Sequence, residues 1–346
     1  MHSRNSFIRV FRVTKFPGAN RTRKRTSEQE LLYVTIGNMI SIRLMSEDDL
    51  ESVARLDVMA FTEKDPLSGR SDPIPLRTSQ NLLASLNLNP PGCYVAVADE
   101  PIGYLFSRIW GKVGWIGVFG VDPAHHGQKV GQALLSAGID GLKEAGCQII
   151  GLETRSDKTY NVGLYTRRGF QLTFPTLGMS RVISPPTDPA ACVSWSELKE
   201  SNALRAVTQV SEAVQSGLDY APEAANANIY RWGETLFFGW PSTWAFAVIR
   251  TTPRRKSKID KICEIDVLAI HPDHSVRFEQ VLQSVDNFAT DQGASQMHLS
   301  INAVDGETLK RILDYGFRVD SVMVRMTLGK QIRLPPEGID LSRWAM

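Results

Sequence analysis

Val118-Phe119-Gly120-Val121-Asp122-Pro123-Ala124-His125-His126-Gly127-Gln128-Lys129-Val130-Gly131 constrains the architecture of this chain more than any other segment. An apolar strand runs into a turn marked by Pro123, and a glycine-bearing loop then opens a helix. The first N–H groups of a helix lack partners within it and sit at the positive end of its dipole. A loop feeding such a helix can therefore hold a pyrophosphate through backbone alone. Glycine loops also join helices and strands where no ligand binds, so the stretch needs a second observation beside it.

That observation lies downstream. Ile149–Thr154 reads as a buried strand and is followed by Asn161-Val162-Gly163-Leu164-Tyr165-Thr166-Arg167-Arg168-Gly169-Phe170. Taken together, the two segments resemble the acyl-CoA-binding core of the GNAT superfamily of N-acetyltransferases. That family's loop reads Gln/Arg-x-x-Gly-x-Gly/Ala, and its later helix often reads Asn-x-x-Leu-Tyr-x-x-x-Gly-Phe. The resemblance covers residues 39 to about 184. The loop departs from the pattern at two places: His126 stands at the Gln/Arg position and Lys129 at the first glycine, while Gly131 fills the last. A lysine serves there if its φ stays negative, and its ammonium then offsets phosphate charge; the alternative is a solvated lysine that tolerates the bend.

The resemblance implies an α+β fold, a mixed and mostly antiparallel central sheet flanked by helices, and acetyl-CoA as acyl donor. It implies that the strand before the loop splays open so that backbone groups of Phe119, Gly120 and Val121 grip the pantetheine arm. His126, Gly127, Gln128, Lys129, Val130 and Gly131 then receive the pyrophosphate. Tyr165 matches the family tyrosine that donates a proton to the departing thiolate, a role suited to a phenol that stays protonated at neutral pH. Asn161 matches a position whose amide contacts the cofactor arm, or it caps the helix. Glu153, at the end of its strand and twelve residues before Tyr165, is the candidate base; a structural ion pair with Arg155 or a neighbouring lysine is the competing reading. His125 and His126 have a suitable intrinsic pKa but lie on the phosphate side, and no Cys or carboxylate accompanies them at metal-ligand spacing.

The 346 residues, 42% of them hydrophobic, suffice for two domains. No apolar run approaches the ~20 residues that span a bilayer, so no membrane partner is expected. Cys93, Cys147, Cys192 and Cys263 show no Cys-x-x-Cys spacing, which argues against zinc or disulfides and for a reducing, cytoplasmic setting. The net charge of +2 is uneven. Residues 1–38 carry eight basic side chains against Glu28 and Glu30, and the remainder is acidic overall, so nucleic acid is not an expected partner. Residues 1–38 are expected to be a disordered extension, with Met39 opening the first domain strand at Ile40–Leu44; a transit peptide is the less favoured reading.

From Met39 the order is strand, two helices, consecutive strands, then helix, strand, helix and final strands. Ser46 and Asp49 form a capping-box pattern before a helix over 47–59, and a second helix starts near Ser79. Pro185, Pro186 and Pro189 mark a linker over 185–200, after which the pattern recurs over 201–330, with 331–346 left as a tail. Leu268-Ala269-Ile270-His271-Pro272 corresponds to Phe119–Pro123, and Tyr315-Gly316-Phe317 to Arg168-Gly169-Phe170. The second loop, His274–Gln280, has no glycine and carries Glu279, and Ile312 stands where Tyr165 does in the first half. The second half is therefore expected to be a degenerate GNAT-like copy, as in tandem GNAT proteins. The aromatic run from Tyr230 to Phe246 is expected to be core rather than a nucleic-acid platform. Arg254, Arg255, Lys256 and Lys258 are expected to form a solvated connection.

The function expected from these residues is acetyl-CoA-dependent N-acetyl transfer to an amine of a small molecule or peptide, by direct attack in a ternary complex. The protein acts as a monomer or homodimer, and residues 39–184 are catalytic. The alternative, carried by His126, Lys129 and the degenerate partner half, is a non-catalytic acyl-CoA-binding sensor or scaffold.

Overall fold

The computed structural model describes residues 19–26, 29–36, 40–62, 73–184, 188–256, 262–329 and 336–344. The first half runs β1 (Ala19–Thr26), β2 (Gln29–Ile36), β3 (Ile40–Leu44), α1 (Leu50–Phe61), α2 (Ser79–Leu88), β4 (Tyr94–Val97), β5 (Pro101–Trp110) and β6 (Val113–Val121). It continues with α3 (Val130–Glu144), β7 (Ile149–Arg155), α4 (Thr159–Arg167), β8 (Gln171–Leu172) and β9 (Thr176–Val182). The second half comprises β10 (Cys192–Ser194), α5 (Glu200–Val214), α6 (Ala221–Ile229), β11 (Gly233–Phe238), β12 (Ala245–Arg250) and β13 (Ile262–Ile270). It closes with α7 (Phe278–Asp291), β14 (Gln296–Asn302), α8 (Gly306–Asp314), β15 (Arg318–Gly329) and β16 (Ile339–Ser342).

Local signals in the sequence account for the helix starts. The Asp49 carboxylate accepts from the Ser46 N–H at 2.8 Å ahead of α1, and Thr78 accepts from the Asn81 N–H at 3.1 Å to open α2. α3 stops at a left-handed Gly146, as helices commonly do.

The sixteen strands of the described residues join one sheet, fourteen of them in the order β1-β2-β3-β4-β5-β6-β7-β15-β9-β14-β13-β12-β11-β10, with β8 paired to β15 and β16 to β13 beside that path. The halves meet through exchanged strands. β15 lies along β7, from Met323 opposite Arg155 to Gly329 opposite Ile149, so a strand of the second half completes the first. β9 in turn lies along β14, from Thr176 opposite Asn302 to Val182 opposite Gln296. The expected boundaries at 184 and 201 therefore cut across the sheet rather than between two sheets. The apolar core also crosses them: Trp110 and Trp115 of the first half pack in one cluster with Val207, Val210, Tyr220, Trp232 and Trp344. Beside that cluster a buried ion pair, Arg108–Glu223 at 2.8 Å, links β5 to α6.

Three other expectations change. Within the expected unstructured extension, Ala19–Thr26 and Gln29–Ile36 pair antiparallel, and the second of these strands pairs with β3; the other residues of the extension lie outside the described residues. Within the expected linker, Cys192–Ser194 pairs with β11, and Trp195 is buried. Within the expected tail, Ile339–Ser342 pairs with β13, and Trp344 is only 1% exposed. The aromatic run behaves as the sequence suggests: Trp232, Phe237, Phe238, Trp244 and Phe246 are core.

The repeat is visible in backbone detail. Asp122 and His271 each end their strand, accept from the N–H two residues on and lead into a Pro-started 3-10 turn. In both halves a parallel strand pair begins and then parts. β6 and β7 pair only from Val113–Ile149 to Ile116–Leu152, and β13 and β14 only from Ile262–Gln296 to Glu264–His298. Beyond the second divergence β16 takes the vacated edge, from Val267 opposite Ser342 to Ile270 opposite Ile339. The chain thus fills its own second cleft with a strand.

Candidate active site

The first divergence stays open. Past Ile116, β6 shifts register against β5, so that Ser107 faces Ile116 while Leu105 faces Phe119, leaving Gly117 and Val118 as a bulge. Beyond Leu152, β7 continues as Glu153–Arg155 against β15 alone. The backbone of β6 is therefore presented to the gap on the side that faced β7. Gly120 sits where α1 crosses the sheet, and a Cβ there would lie 2.7 Å from the Ala60 Cβ.

The loop follows β6 directly. Asp122 accepts from the Ala124 N–H at 2.9 Å, and the His126 ring Nε2 lies 3.2 Å from the Val121 carbonyl oxygen. Two residues then adopt left-handed backbone, Gly127 at φ 81° and Lys129 at φ 65°. The condition of a negative φ at Lys129 is thus not met, which leaves the alternative of a lysine that tolerates the bend: it takes the conformation glycine favours, at a cost in backbone energy, because the chain must turn sharply into α3. The Ala133 N–H makes the first bond back, to the Lys129 carbonyl at 3.1 Å. The N–H groups of Val130, Gly131 and Gln132 precede it at the positive end of the helix dipole. A Cβ at Gly131 would make only ordinary contact, 3.5 Å from Val121 Cγ2.

A cavity of about 920 Å³ opens between the halves. Of the residues singled out in the sequence, Phe119, Glu153, Asn161 and Tyr165 line it. Gly120, Val121 and the loop from His126 to Gly131 lie outside its wall. The Tyr165 ring stands edge-on between Phe119 (6.3 Å) and Phe170 (6.1 Å) and is 4% exposed. Burial pushes its phenol well above the ordinary value, so it stays protonated. Asn161 Nδ2 donates to Thr154 Oγ1 at 3.3 Å, and the residue before the first turn of α4 is Lys158 instead.

Glu153 is ion-paired, but with neither Arg155 nor a lysine. Arg325 Nε, on β15 of the second half, donates to Glu153 Oε1 at 2.9 Å, and the Thr176 hydroxyl donates to the same oxygen at 2.5 Å. Arg155 instead bonds Asp157 at 2.7 Å.

The second half supplies the opposite wall with Arg250, Thr251, Thr252, Arg254, Arg255, Glu264 and His298. Arg254 and Arg255 of the basic run are therefore not part of a solvated connection, while Lys256 is exposed and Lys258 lies outside the described residues. Arg254 Nε pairs with Glu264 at 3.0 Å, and Arg255 Nη1 pairs with Asp57 of α1 at 2.6 Å and with the Pro75 carbonyl at 2.8 Å. Asp57, fully buried, also binds Arg77 (3.0 Å) and the Tyr104 hydroxyl (2.7 Å). Burial alone raises the Asp57 carboxyl, but Arg77, Arg255 and Tyr104 together hold it below its ordinary value. The signal for this network was present as a carboxylate on the apolar face of α1, one residue after Leu56 and four after Val53. Its partners lay too far along the chain to be read. Positions 63–72 lie outside the described residues; Phe61, Ile74 and Arg77 on either side of them line the cavity. Among the described residues no group of three His, Cys, Asp or Glu is arranged to hold a metal, and no helix is long and apolar enough to cross a membrane.

Residues 54–170 match the acetyltransferase (GNAT) family. That segment is similar to the GNAT acetyltransferases. A mycothiol acetyltransferase of Propionibacterium freudenreichii is 30% identical over 152 residues, which is 42% of this chain and 45% of that protein. Another, from Sanguibacter keddieii, is 38% identical over 80 residues, 23% of this chain and 24% of that protein. The chain thus spans less than half the length of these curated relatives. At the level of fold, a solved structure from Pyrococcus horikoshii superposes with a TM-score of 0.64 at 19% identity, covering 93% of this chain and 99% of that one. A tandem GNAT protein from the clavulanic acid biosynthesis pathway superposes with a TM-score of 0.52 at 14% identity, covering 84% and 98%. At the level of fold, the likeness to these two structures therefore extends over most of this chain.

Proposed function

We propose that this protein transfers an acetyl group from acetyl-CoA to an amine by direct attack in a ternary complex, using the cleft of the first half alone. The observation that carries this reading is the parting of β6 from β7 beyond Ile116 and Leu152, with the buried Tyr165 beside the opening and the start of α3 at its end. The unpaired edge of β6 at Phe119, Gly120 and Val121 can take up the amide groups of a pantetheine arm. Gly127 to Gly131, and His126 before them, offer N–H groups to the pyrophosphate. Asn161, which lines the cavity, is proposed to contact the arm through its amide.

Attack on the thioester carbonyl requires a neutral amine and a proton for the departing sulfur. Tyr165 donates that proton, and its environment suits the role because nothing charged competes for the phenol. Glu153 is proposed to receive the amine proton, directly or through a water. The described hydrogen bonds of Glu153 fall on Oε1, which leaves Oε2 for the purpose. Arg325 and Thr176 fix the carboxylate in place, so the second half contributes to the first half's chemistry.

Release of CoA thiol, measured across a panel of amines, amino acids, amino sugars and peptides, tests the reading. Amine-dependent release is the expected result. Acetyl-CoA binding without turnover for any acceptor establishes the sensor alternative, which the irregular loop at His126 and Lys129 favours.

A further inference from the structure

Behind the Glu153 carboxylate stands a layer of rings. Arg325 bonds Glu153 Oε1 through Nε, while its Nη2, though 2.9 Å from the same oxygen, is enclosed and not aligned for a second hydrogen bond. One aligned bond fixes one point of a planar group and leaves its tilt open. Here aromatic faces supply the rest. The guanidinium carbon lies 4.2 Å from the centre of the Trp344 ring and 5.4 Å from that of Trp115, within the ~6 Å at which a ring face holds a cation. The rings hold one another as well: Trp115 meets Trp344 edge to face at 4.6 Å, and Trp110 lies tilted against Trp344 at 5.3 Å. β7 makes room for this layer at Gly151, two residues before Glu153, where a Cβ would collide with the Trp115 indole.

Trp344 is fixed at its far edge too. Its Nε1 donates to the Tyr220 hydroxyl at 2.7 Å, and that hydroxyl donates to Asp340 at 3.1 Å, so the bonds return to β16, the strand that leads into Trp344. Neither Arg325 nor Trp344 lines the cavity. Both therefore act at one remove from any substrate. Resting on the acyltransfer reading above, we propose that Trp344 is a positioning residue for the first cleft: its ring clasps Arg325, and Arg325 holds the Glu153 carboxylate with Oε2 left for the amine proton. The strand that fills the second cleft thereby serves the first. Without the ring the guanidinium keeps its charge but loses its fixed plane, and a misplacement of about 1 Å at a reacting group costs up to ~10²-fold in rate.

Steady-state thiol release tests this in Trp344→Met and Trp344→Phe, with Trp344→Met measured both alone and beside Glu153→Gln. Trp344→Met, which fills the space without a ring face, should lower kcat by about tenfold or more and leave the KM for acetyl-CoA within about twofold. Trp344→Phe returns a face to the cation and should recover most of the loss. Beside Glu153→Gln, Trp344→Met should cost nothing further, because the group it positions is gone. Val210→Ala, a cut in the same apolar cluster, should leave kcat unchanged. An unchanged kcat in Trp344→Met overturns the proposal. So does a loss that Trp344→Phe does not relieve, that Val210→Ala reproduces, or that persists beside Glu153→Gln. Should Trp344→Met not fold, Arg325→Lys, which keeps the cation and removes the plane, takes its place: a loss that vanishes beside Glu153→Gln supports the proposal, and one that persists overturns it. If acetyl-CoA binds but no amine is acetylated, the acyltransfer reading fails instead, and the clasp is judged by urea unfolding. Destabilisation by Trp344→Met that shrinks beside Glu153→Gln supports the clasp; additive losses overturn it.

Discussion

Tyr165 and Glu153 share a cavity wall and are held by opposite surroundings. Tyr165 is enclosed by rings, and burial pushes its phenol up, so that it keeps its proton at neutral pH. Tyr165→Phe should therefore lower kcat by ~10²-fold, the scale of one general acid, and leave acetyl-CoA affinity nearly intact. A parallel loss of binding in calorimetry assigns Tyr165 to packing instead. Asp57 yields a prediction of a different kind. Its folded carboxyl titrates below its unfolded value, so its contribution to stability is complete above about pH 4 and is lost as pH falls through the folded value. Denaturation from pH 7 down to pH 3 should show this loss, and Asp57→Asn should flatten it while costing about 3–5 kcal/mol at pH 7 by leaving Arg77 buried and unpaired. An unchanged acid slope in the variant assigns the pH dependence elsewhere. Tyr165 was legible because its motif lies within ten residues of chain. The bonds from Arg325 to Glu153 and from Arg255 to Asp57 close over 172 and 198 residues, a separation at which periodicity carries no signal.

Among the elements, helix starts and the loop were legible because capping residues, prolines and glycines act locally. β16 was not. Three alternating residues, Ile339-Asp340-Leu341, between a proline-glycine segment and the chain end are too short to distinguish a strand from a tail. Only the divergence of β13 and β14 makes them one, by offering an unpaired edge. β16 buries Ile339 and Leu341 and positions Trp344, whose Nε1 donates to the Tyr220 hydroxyl at 2.7 Å. Ending the chain at residue 335 should lower the thermal midpoint by on the order of 10 °C, given about 1.5–3 kcal/mol for each large apolar side chain returned to water. An unaltered midpoint shows that β16 is an ornament on the sheet rather than part of its core.

At the scale of the whole molecule, duplication alone allows two acyl-CoA sites per chain, and the structure gives two separate reasons for one. The second loop runs from its 3-10 turn straight into α7 without a left-handed residue, and Glu279 in the first turn is pinned by Arg311 at 2.7 Å. The second cleft is also filled by β16. Because β15 completes the first sheet and β9 the second, neither half is expected to unfold alone, and calorimetric melting should show one transition. Titration with acetyl-CoA should then fit a single site per chain. Gly131→Glu should abolish it by placing a carboxylate among the N–H groups of α3. Since a Cβ at Gly131 meets nothing closer than 3.5 Å, the melting transition should survive that substitution, which separates lost binding from lost fold. Two sites of similar affinity show that the second cleft binds as well, and undiminished binding in the variant moves the working cleft to the second half; either outcome requires β16 to leave it.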